Sequence, residues 1–362
     1  DADNIKRTMT KLVKKFDKMG IDYEAPSRVA LEMKEEMVAF CRDCNPLLEI
    51  LCTNGLKERH WDIMNKTTDL DIPFVMNQMT LQLCIEHGLE EHVTNIEETC
   101  VNATKEYSLE KALDNMELDW EGLEFGTKAY KDTGTSILMS VEDIQNVLDD
   151  QIVRAQAMRG SRYVKPFEAR VILWEKTLND LQDIMDNWLS MQGTWLYLEP
   201  IFSSEDICKQ MPQEAKRFRT VDGTFRGAQS RVESEPGVIK IAQTDGLLEQ
   251  LVKANELLNE IQKGLNDYLE TKRVFFPRFF FLGNDEMLEI LSETKDPLKV
   301  QPHLSKIFEG ISLLDFSKTL DILGMISAEG ENVPFSYDEI GEKKINPQDS
   351  NGQVEQWVKE VE

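Results

Sequence analysis

This 362-residue sequence predicts a mainly α fold, with helices packed lengthwise, a few short β-hairpins and a mixed α and β C-terminal end. Three observations predict it. Two long runs, Val171 to Leu198 and Leu247 to Tyr268, place apolar side chains at alternating steps of three and four residues, the spacing of a heptad seam. Two glycine-centred turns, Asp132-Thr133-Gly134 and Glu329-Gly330-Glu331, sit between short extended runs, as hairpins do. Between the second seam and the second hairpin, FFPRFFFLGND (Phe275 to Asp285) abandons the helical period for a short continuous apolar run that reads as a buried strand.

Taken from the N-terminus, short helices are expected over the first eighty residues, with Asn45-Pro46 as an N-cap and first-turn proline and Asn54-Gly55 as the matching stop. From Thr80 to Leu123, Ile85, Leu89, Val93, Ile96, Cys100, Ala103 and Tyr107 fall at helical spacing. After a phase shift, Leu109, Leu113, Met116, Trp120 and Leu123 continue it, giving one long helix or two in series. After the first hairpin, Ser140 with Asp143 resembles a capping box for the next helix. The clearest signal is Val171, Trp174, Leu178, Leu181, Met185, Trp188, Gln192, Trp195 and Leu198. A helix from Ser161 to Glu199 would be about 57 Å long. Its tryptophans read as a bundle core rather than a cofactor groove, because burying each ring contributes several kcal/mol. Gly193 lowers helix propensity and Pro200 must end or kink the helix, which places a hinge between them. A helix from Gln213 to Val232, closed by Glu235-Pro236-Gly237, precedes the second seam of Leu247, Leu251, Ala254, Leu258, Ile261, Leu265 and Tyr268. Asn284 is then expected to cap a helix with Asp285 and Glu286 in its first turn. The resulting divisions are 1–125 (N-terminal helical subdomains), 126–200 (hairpin and long central helix), 201–274 (second helical bundle section) and 275–362 (mixed α+β).

Charge narrows the partners. The net charge of −25 repels phosphate backbones and anionic membranes, so neither nucleic acid nor a membrane is expected. The exception is the basic cluster Lys216, Arg217, Arg219, Arg226 and Arg231, read as a solvated helix face with the chemistry to meet an acidic protein. No apolar run approaches the ~18 residues of a membrane span and DADNIKRTMTKLVKK has no signal core, which reads as a soluble intracellular chain. The six cysteines are too sparse for a disulfide framework and read as thiols.

Chemistry is hard to find. The chain has no GxxxxGK[ST], HExxH, GxSxG, GxGxxG or EF-hand loop, and only four histidines. Cys41, Cys44, Cys52 and His60 are donor types that suit zinc, yet Cys41 and Cys44 share a helix face beside Phe40 and Leu47, where thiols pack as small apolar groups. Gly283-Asn284-Asp285 lacks the Lys, Thr or successive glycines of a phosphate loop. No catalytic, cofactor-binding or metal residue is therefore expected. The candidates are structural or interaction residues: His60, Trp61, Trp174, Trp188, Trp195, Phe276, Pro277, Arg278, Phe279 and Phe281, with Gly193 and Pro200 as the hinge. On a strand, successive phenylalanines would face opposite ways and meet two layers.

The same residues carry a resemblance. GLKERHWDIM (Gly55 to Met64), LEKALDNMELDWEGLEF (Leu109 to Phe125), the Trp188-x6-Trp195 seam ending in YLEPIF (Tyr197 to Phe202), YLETKRVFFPRFFFLGNDEMLEIL (Tyr268 to Leu291), VQPHLSKIFEGI (Val300 to Ile311) and MISAEGENV (Met325 to Val333) together resemble the dynein heavy chain linker region. The match runs from about Pro26, the first 25 residues matching nothing specific, and Gly223 and Gly227 interrupt a segment that is more uniformly helical in relatives. The resemblance implies an elongated curved rod of helical-bundle subdomains that lies across a ring of AAA+ ATPase modules and swings as the power-stroke element. It implies no cofactor in this segment, ATP and Mg belonging to the ring. It also implies the ring and the tail as partners within the heavy chain, with light and intermediate chains and microtubules meeting other regions. SAEGENV, SILMSVEDIQNVLDDQIVRAQAM and DICKQMPQEAKRF are similar to axonemal members, which implies the cytoskeleton of a cilium or flagellum. The alternative is a stand-alone helical scaffold or tethering protein.

Overall fold

The computed structural model describes residues 2–22, 27–72, 80–292, 296–335, 337–338, 341–342, 345–350 and 353–362. Its first helices are long, not short. Helices α1 (Ala2–Asp22) and α2 (Ser27–Leu51) pack antiparallel, with Lys6 paired to Glu49 near one end and Lys34 to Asp17 towards the other. Asn45-Pro46 lies inside α2 instead of starting a helix. Pro46 gives up its bond to the carbonyl of Arg42, but both residues are exposed, so water can replace it. The expected stop holds. Gly55 sits at φ 99°, where an added Cβ would lie 2.4 Å from the Tyr107 Cβ.

Helix α3 (Glu58–Thr68), the short α4 (Leu81–Glu86), a 3-10 turn at Leu89–His92 and α5 (Val93–Leu118) come next. The long pattern after Thr80 is thus broken by Gly88, left-handed at φ 72°. Leu47, Trp61, Met64, Ile72, Cys84, Leu89, Ile96 and Cys100 form one core. Strands β1 (Gly126–Tyr130) and β2 (Thr135–Met139) make the expected hairpin, with Gly134 at φ 70°. Ser140 is no cap. At φ 53° it lies in the left-handed region, and α6 (Glu142–Arg159) starts two residues later.

Helix α7 (Glu168–Phe202) is 35 residues long. It starts after the expected Ser161 because Lys165–Phe167, with Pro166 in its first turn, is a 3-10 turn. All nine seam residues from Val171 to Leu198 are buried. After α8 (Glu205–Gln210), α9 (Pro212–Ser234) meets α7 through Trp195 stacked on Phe225 and Phe202 on Phe218, at 4.3 and 5.1 Å between ring centroids. After α10 (Val238–Ala242), α11 (Leu247–Phe275) buries its own seam, with Leu269 taking the place expected for Tyr268. Arg217 of α9 reaches Glu260 of α11 at 3.0 Å. The two seams therefore serve helices packed lengthwise.

Beyond α11 come α12 (Asn284–Ser292) and α13 (Leu304–Ile307). Strands β3 (Ile311–Phe316), β4 (Ile322–Ser327) and β5 (Asn332–Pro334) then form an antiparallel sheet with β4 in the middle. The turn at Gly330 (φ 86°) is the expected hairpin, while β3 has no forerunner in the sequence pattern. Two-residue strands β6 (Tyr337–Asp338) and β7 (Gly341–Glu342) and helix α14 (Val354–Val361) complete the chain.

Two units result, Asp1–Glu121 with Asp149–Lys176, and Gly122–Leu148 with Thr177–Glu362. In the first, the buried Trp120 indole N–H donates to Gln151 Oε1 (2.7 Å), whose amide donates on to the Met116 carbonyl at the end of α5 (3.1 Å). In the second, the Gln192 side chain works as a strand edge: its Oε1 accepts from Leu138 N–H (2.7 Å) and its Nε2 donates to the Leu138 carbonyl (3.1 Å). That pairing fastens the first hairpin to α7 and explains a glutamine in an apolar seam.

Candidate functional site

The phenylalanine run is not a strand. Helix α11 ends at Phe275, Phe276 turns the chain into extended backbone, and Pro277–Phe281 is a 3-10 turn. Proline fits the first position of such a turn, because its φ is already set and its missing N–H would have no partner there. The period is therefore three, not two. Phe276, Phe279 and Leu282 point inward and are buried, with the Phe276 and Phe279 rings edge to face at 5.0 Å and Phe308 at 6.2 Å from Phe276. Phe280 and Phe281 point outward, 59% and 69% exposed, and Phe275 and Val274 join them on the surface.

Cations flank these rings. The Arg273 guanidinium stands 6.0 Å from the Phe280 centroid and donates to the Leu282 carbonyl (3.1 Å) and to Asn284 Oδ1 (2.7 Å). Asn284 is thus spent on Arg273 and is the first helical residue of α12, not its cap. The reciprocal contact comes from Glu286, whose Oε2 accepts from Gly283 N–H (3.0 Å). The Lys306 ammonium and that N–H hold the Glu286 carboxyl below the usual carboxylate range. Lys359 of α14 lies 4.7 Å over Phe275, and Arg278 lies over Phe308 while donating to Glu362 (2.7 Å). One turn back, the nearly buried Lys272 of α11 pairs with the buried Glu355 of α14. Beside them, burial and the Glu355 charge push the Tyr268 phenol well up. Sequence reading missed this brace, since the only hint of it was a lysine and a glutamate 83 positions apart.

The other expected residues lie elsewhere. His60, buried in α3, accepts from Lys57 N–H at Nδ1 (3.0 Å), which leaves Nε2 to donate to Glu106 of α5 (2.9 Å); Arg59 meets the same carboxylate. Trp61 is in the core of the first unit. His60 is spent on capping, and among the described residues no group of three or more His, Cys, Asp or Glu is placed to hold a metal ion. Cys44 and Cys84 are buried thiols, and burial pushes Cys100 up to about 11. Trp174, Trp188 and Trp195 all face inward from α7. Trp195 donates to Asp222 (3.1 Å), while the buried indole N–H groups of Trp174 and Trp188 have no hydrogen-bond partner among the described residues. Gly193 faces open space and Pro200 lies in the last turn of α7, which runs on to Phe202. Of the basic cluster, Arg226 is tied to Asp222 and Arg217 to Glu214 and Glu260. No described helix is long and apolar enough to cross a membrane. The site therefore reduces to one aromatic turn, rigid inside and open outside.

The family model for "Dynein heavy chain, N-terminal region 2" matches residues 1–362. Over 362 residues, all of this chain and 8% of the relative, the sequence is 46% identical to dynein axonemal heavy chain 3 of Homo sapiens. Over 307 residues, 85% of this chain and 10% of the relative, it is 47% identical to dynein axonemal heavy chain 12 of Homo sapiens. Dynein axonemal heavy chain 1 of Mus musculus is 42% identical over 356 residues, 98% of this chain and 8% of the relative. The chain thus belongs to the dynein heavy chain N-terminal region 2 family and spans about a tenth of the length of these relatives. The match begins at residue 1, not near Pro26, so α1 is part of the family segment.

Proposed function

We propose that this chain is the mechanical linker of an axonemal dynein heavy chain, the lever that carries ATP-driven changes of an AAA+ ring to the tail during microtubule-based movement of a cilium or flagellum. The observation that supports the reading is α7, a single 35-residue helix with one stripe buried from Val171 to Leu198. At about 1.5 Å per residue it is roughly 52 Å long. Its hydrogen bonds and packed stripe must break together for it to bend, so it transmits displacement rather than absorbing it. On this reading ATP and Mg are bound by the ring, the segment itself has no enzymatic activity, and light chains, intermediate chains and microtubules meet other parts of the heavy chain.

The test uses the full heavy chain. A flexible Gly/Ser insertion between Ser203 and Ser204, after α7, uncouples the helix from α8 and the elements beyond it without removing any seam residue. The lever reading expects ATP turnover to stay within roughly twofold while microtubule gliding slows by at least about fivefold. Unchanged gliding, or turnover and gliding falling together, would refute it. Calorimetric titration of the isolated segment with ATP should show no binding in the micromolar range.

A further inference from the structure

Two cations meet on one tyrosine. In the first unit the Lys105 ammonium of α5 donates to the Tyr163 hydroxyl oxygen (3.2 Å), and the Arg162 guanidinium donates to the same atom. Both also stand over its ring, 5.1 and 4.7 Å from the centroid. One residue further along α5, Arg59 and His60 of α3 converge in the same way, but on the Glu106 carboxylate. At Tyr163 the shared acceptor is a phenol, and among the described residues neither Lys105 nor Arg162 has a carboxylate within ion-pair distance. The hydrogen bonds from Arg162 and Lys105 hold the phenol below its usual range, so the pair favours negative charge at that oxygen.

The backbone sets this tyrosine apart. Among the other described tyrosines, Tyr107, Tyr197 and Tyr268 lie in helices and Tyr130 and Tyr337 in strands. Tyr163 lies in the loop between α6, which ends at Arg159, and the 3-10 turn that starts at Lys165. It is half-buried, and both of its cations are exposed. An enzyme that binds its substrate as an extended strand can reach Tyr163 by opening a few loop residues, whereas the others require a helix or hairpin to come apart.

We propose that Tyr163 is a phosphorylation site whose phosphate is received by Lys105 and Arg162, tying the loop before α7 to α5. The phosphoryl donor is Mg-ATP and the catalyst a tyrosine kinase. The hydroxyl oxygen forms the new bond to the γ-phosphorus, and the bond from that phosphorus to the bridging oxygen breaks. ADP leaves with the electron pair, and the phenol proton passes to the kinase's base. The product carries about two negative charges and three acceptor oxygens, so each cation exchanges a hydrogen bond to a neutral oxygen for a charge-assisted one. An acidic peptide seated on the same cations would have to displace the hydroxyl that occupies their donors, so the anion belongs on the tyrosine itself. Nothing in this depends on the lever reading.

The test treats the full heavy chain with Mg-ATP and the catalytic domains of tyrosine kinases of differing sequence preference, and maps phosphate by mass spectrometry. Tyr163 should be modified at least about tenfold faster than Tyr107, Tyr197 or Tyr268. No phosphate at Tyr163 with any of them, or rates equal to those of the helical tyrosines, would overturn the proposal. The receiving cations are tested on the reverse step, because a tyrosine phosphatase must lift the phosphate off them. Removal from Lys105→Gln should be at least about threefold faster than from the parent, and removal from Lys105→Arg within roughly twofold of it. Equal rates for Lys105→Gln and the parent would overturn the cations as its receptor. Motility plays no part in these readouts, so failure here leaves the lever reading untouched.

Discussion

Helices α1 and α7 carry the same kind of sequence signal and meet opposite fates. Both repeat apolar residues at steps of three and four, Ile5 to Met19 in one and Val171 to Leu198 in the other. Every stripe residue of α7 is buried, and none of α1 is. Period reports which face of a helix is apolar. How much of that face is covered depends on how many neighbours reach it: α7 has α9 and the hairpin strands against it, while α1 has α2. The phenylalanine turn repeats the lesson on a small scale, with Phe276 and Phe279 covered and Phe280 and Phe281 open within six residues.

Substitutions can break or sharpen this comparison. The largest effect should be Trp188→Ala, which removes a buried ring that packs on Phe125 (6.2 Å) and should cost about 3 to 5 kcal/mol in chemical denaturation. An unchanged midpoint would place that ring on the surface. Phe279→Ala should approach the same size, about 3 to 4 kcal/mol, whereas the exposed pair Phe280→Ser and Phe281→Ser should stay within roughly 0.5 kcal/mol of the parent. Equal losses would mean that the turn is buried on both sides. Leu12→Ala in the isolated segment should cost about 1 kcal/mol or less, because the side chain is only half-buried. A loss near that of Trp188→Ala would show that α1 is already covered. The smallest effect should have the opposite sign. Gly193→Ala adds a methyl that meets nothing within 4 Å and should raise stability by about 0.5 to 1 kcal/mol.

A titration adds a test inside the first unit. Burial raises the Cys100 thiol to about 11, above its value in an unfolded chain, so folding favours the protonated form. Stability from this group is full below the unfolded value and is lost as pH rises towards 11. At pH about 9, alkylation should therefore label the exposed Cys52 quickly and Cys100 only on unfolding. Rapid native labelling of Cys100 would mean that its core opens locally.

Much of the molecule is dictated by local sequence alone. The seams of α7 and α11, the hairpin turns at Gly134 and Gly330 and the stop at Gly55 are local, because helical period and positive φ depend only on nearby residues. The boundaries read wrongly have two causes, a local spacing overlooked at Pro277 and an exposure set by tertiary packing at Pro46. Pro277 starts a 3-10 turn in a run that composition alone reads as a strand, although the spacing of Phe276, Phe279 and Leu282 carried the signal. Pro46 survives inside α2 because its freed carbonyl partner is exposed, which no local rule states. Of the candidate site, the aromatic residues were legible as a cluster. Which of them face out was not.

What the sequence by itself determined is therefore the mainly helical character, the two seams and the family. Six ordered motifs between Gly55 and Val333 carry the family, and the whole-chain match bears it out. Only the tertiary structure decided that Lys272 meets Glu355, that Gln192 serves β2 as a strand edge, and that α1 lies half-covered. Those facts join residues tens of positions apart, and the free energy of such contacts depends on which surfaces the folded chain brings together, a quantity that no window of neighbouring residues contains.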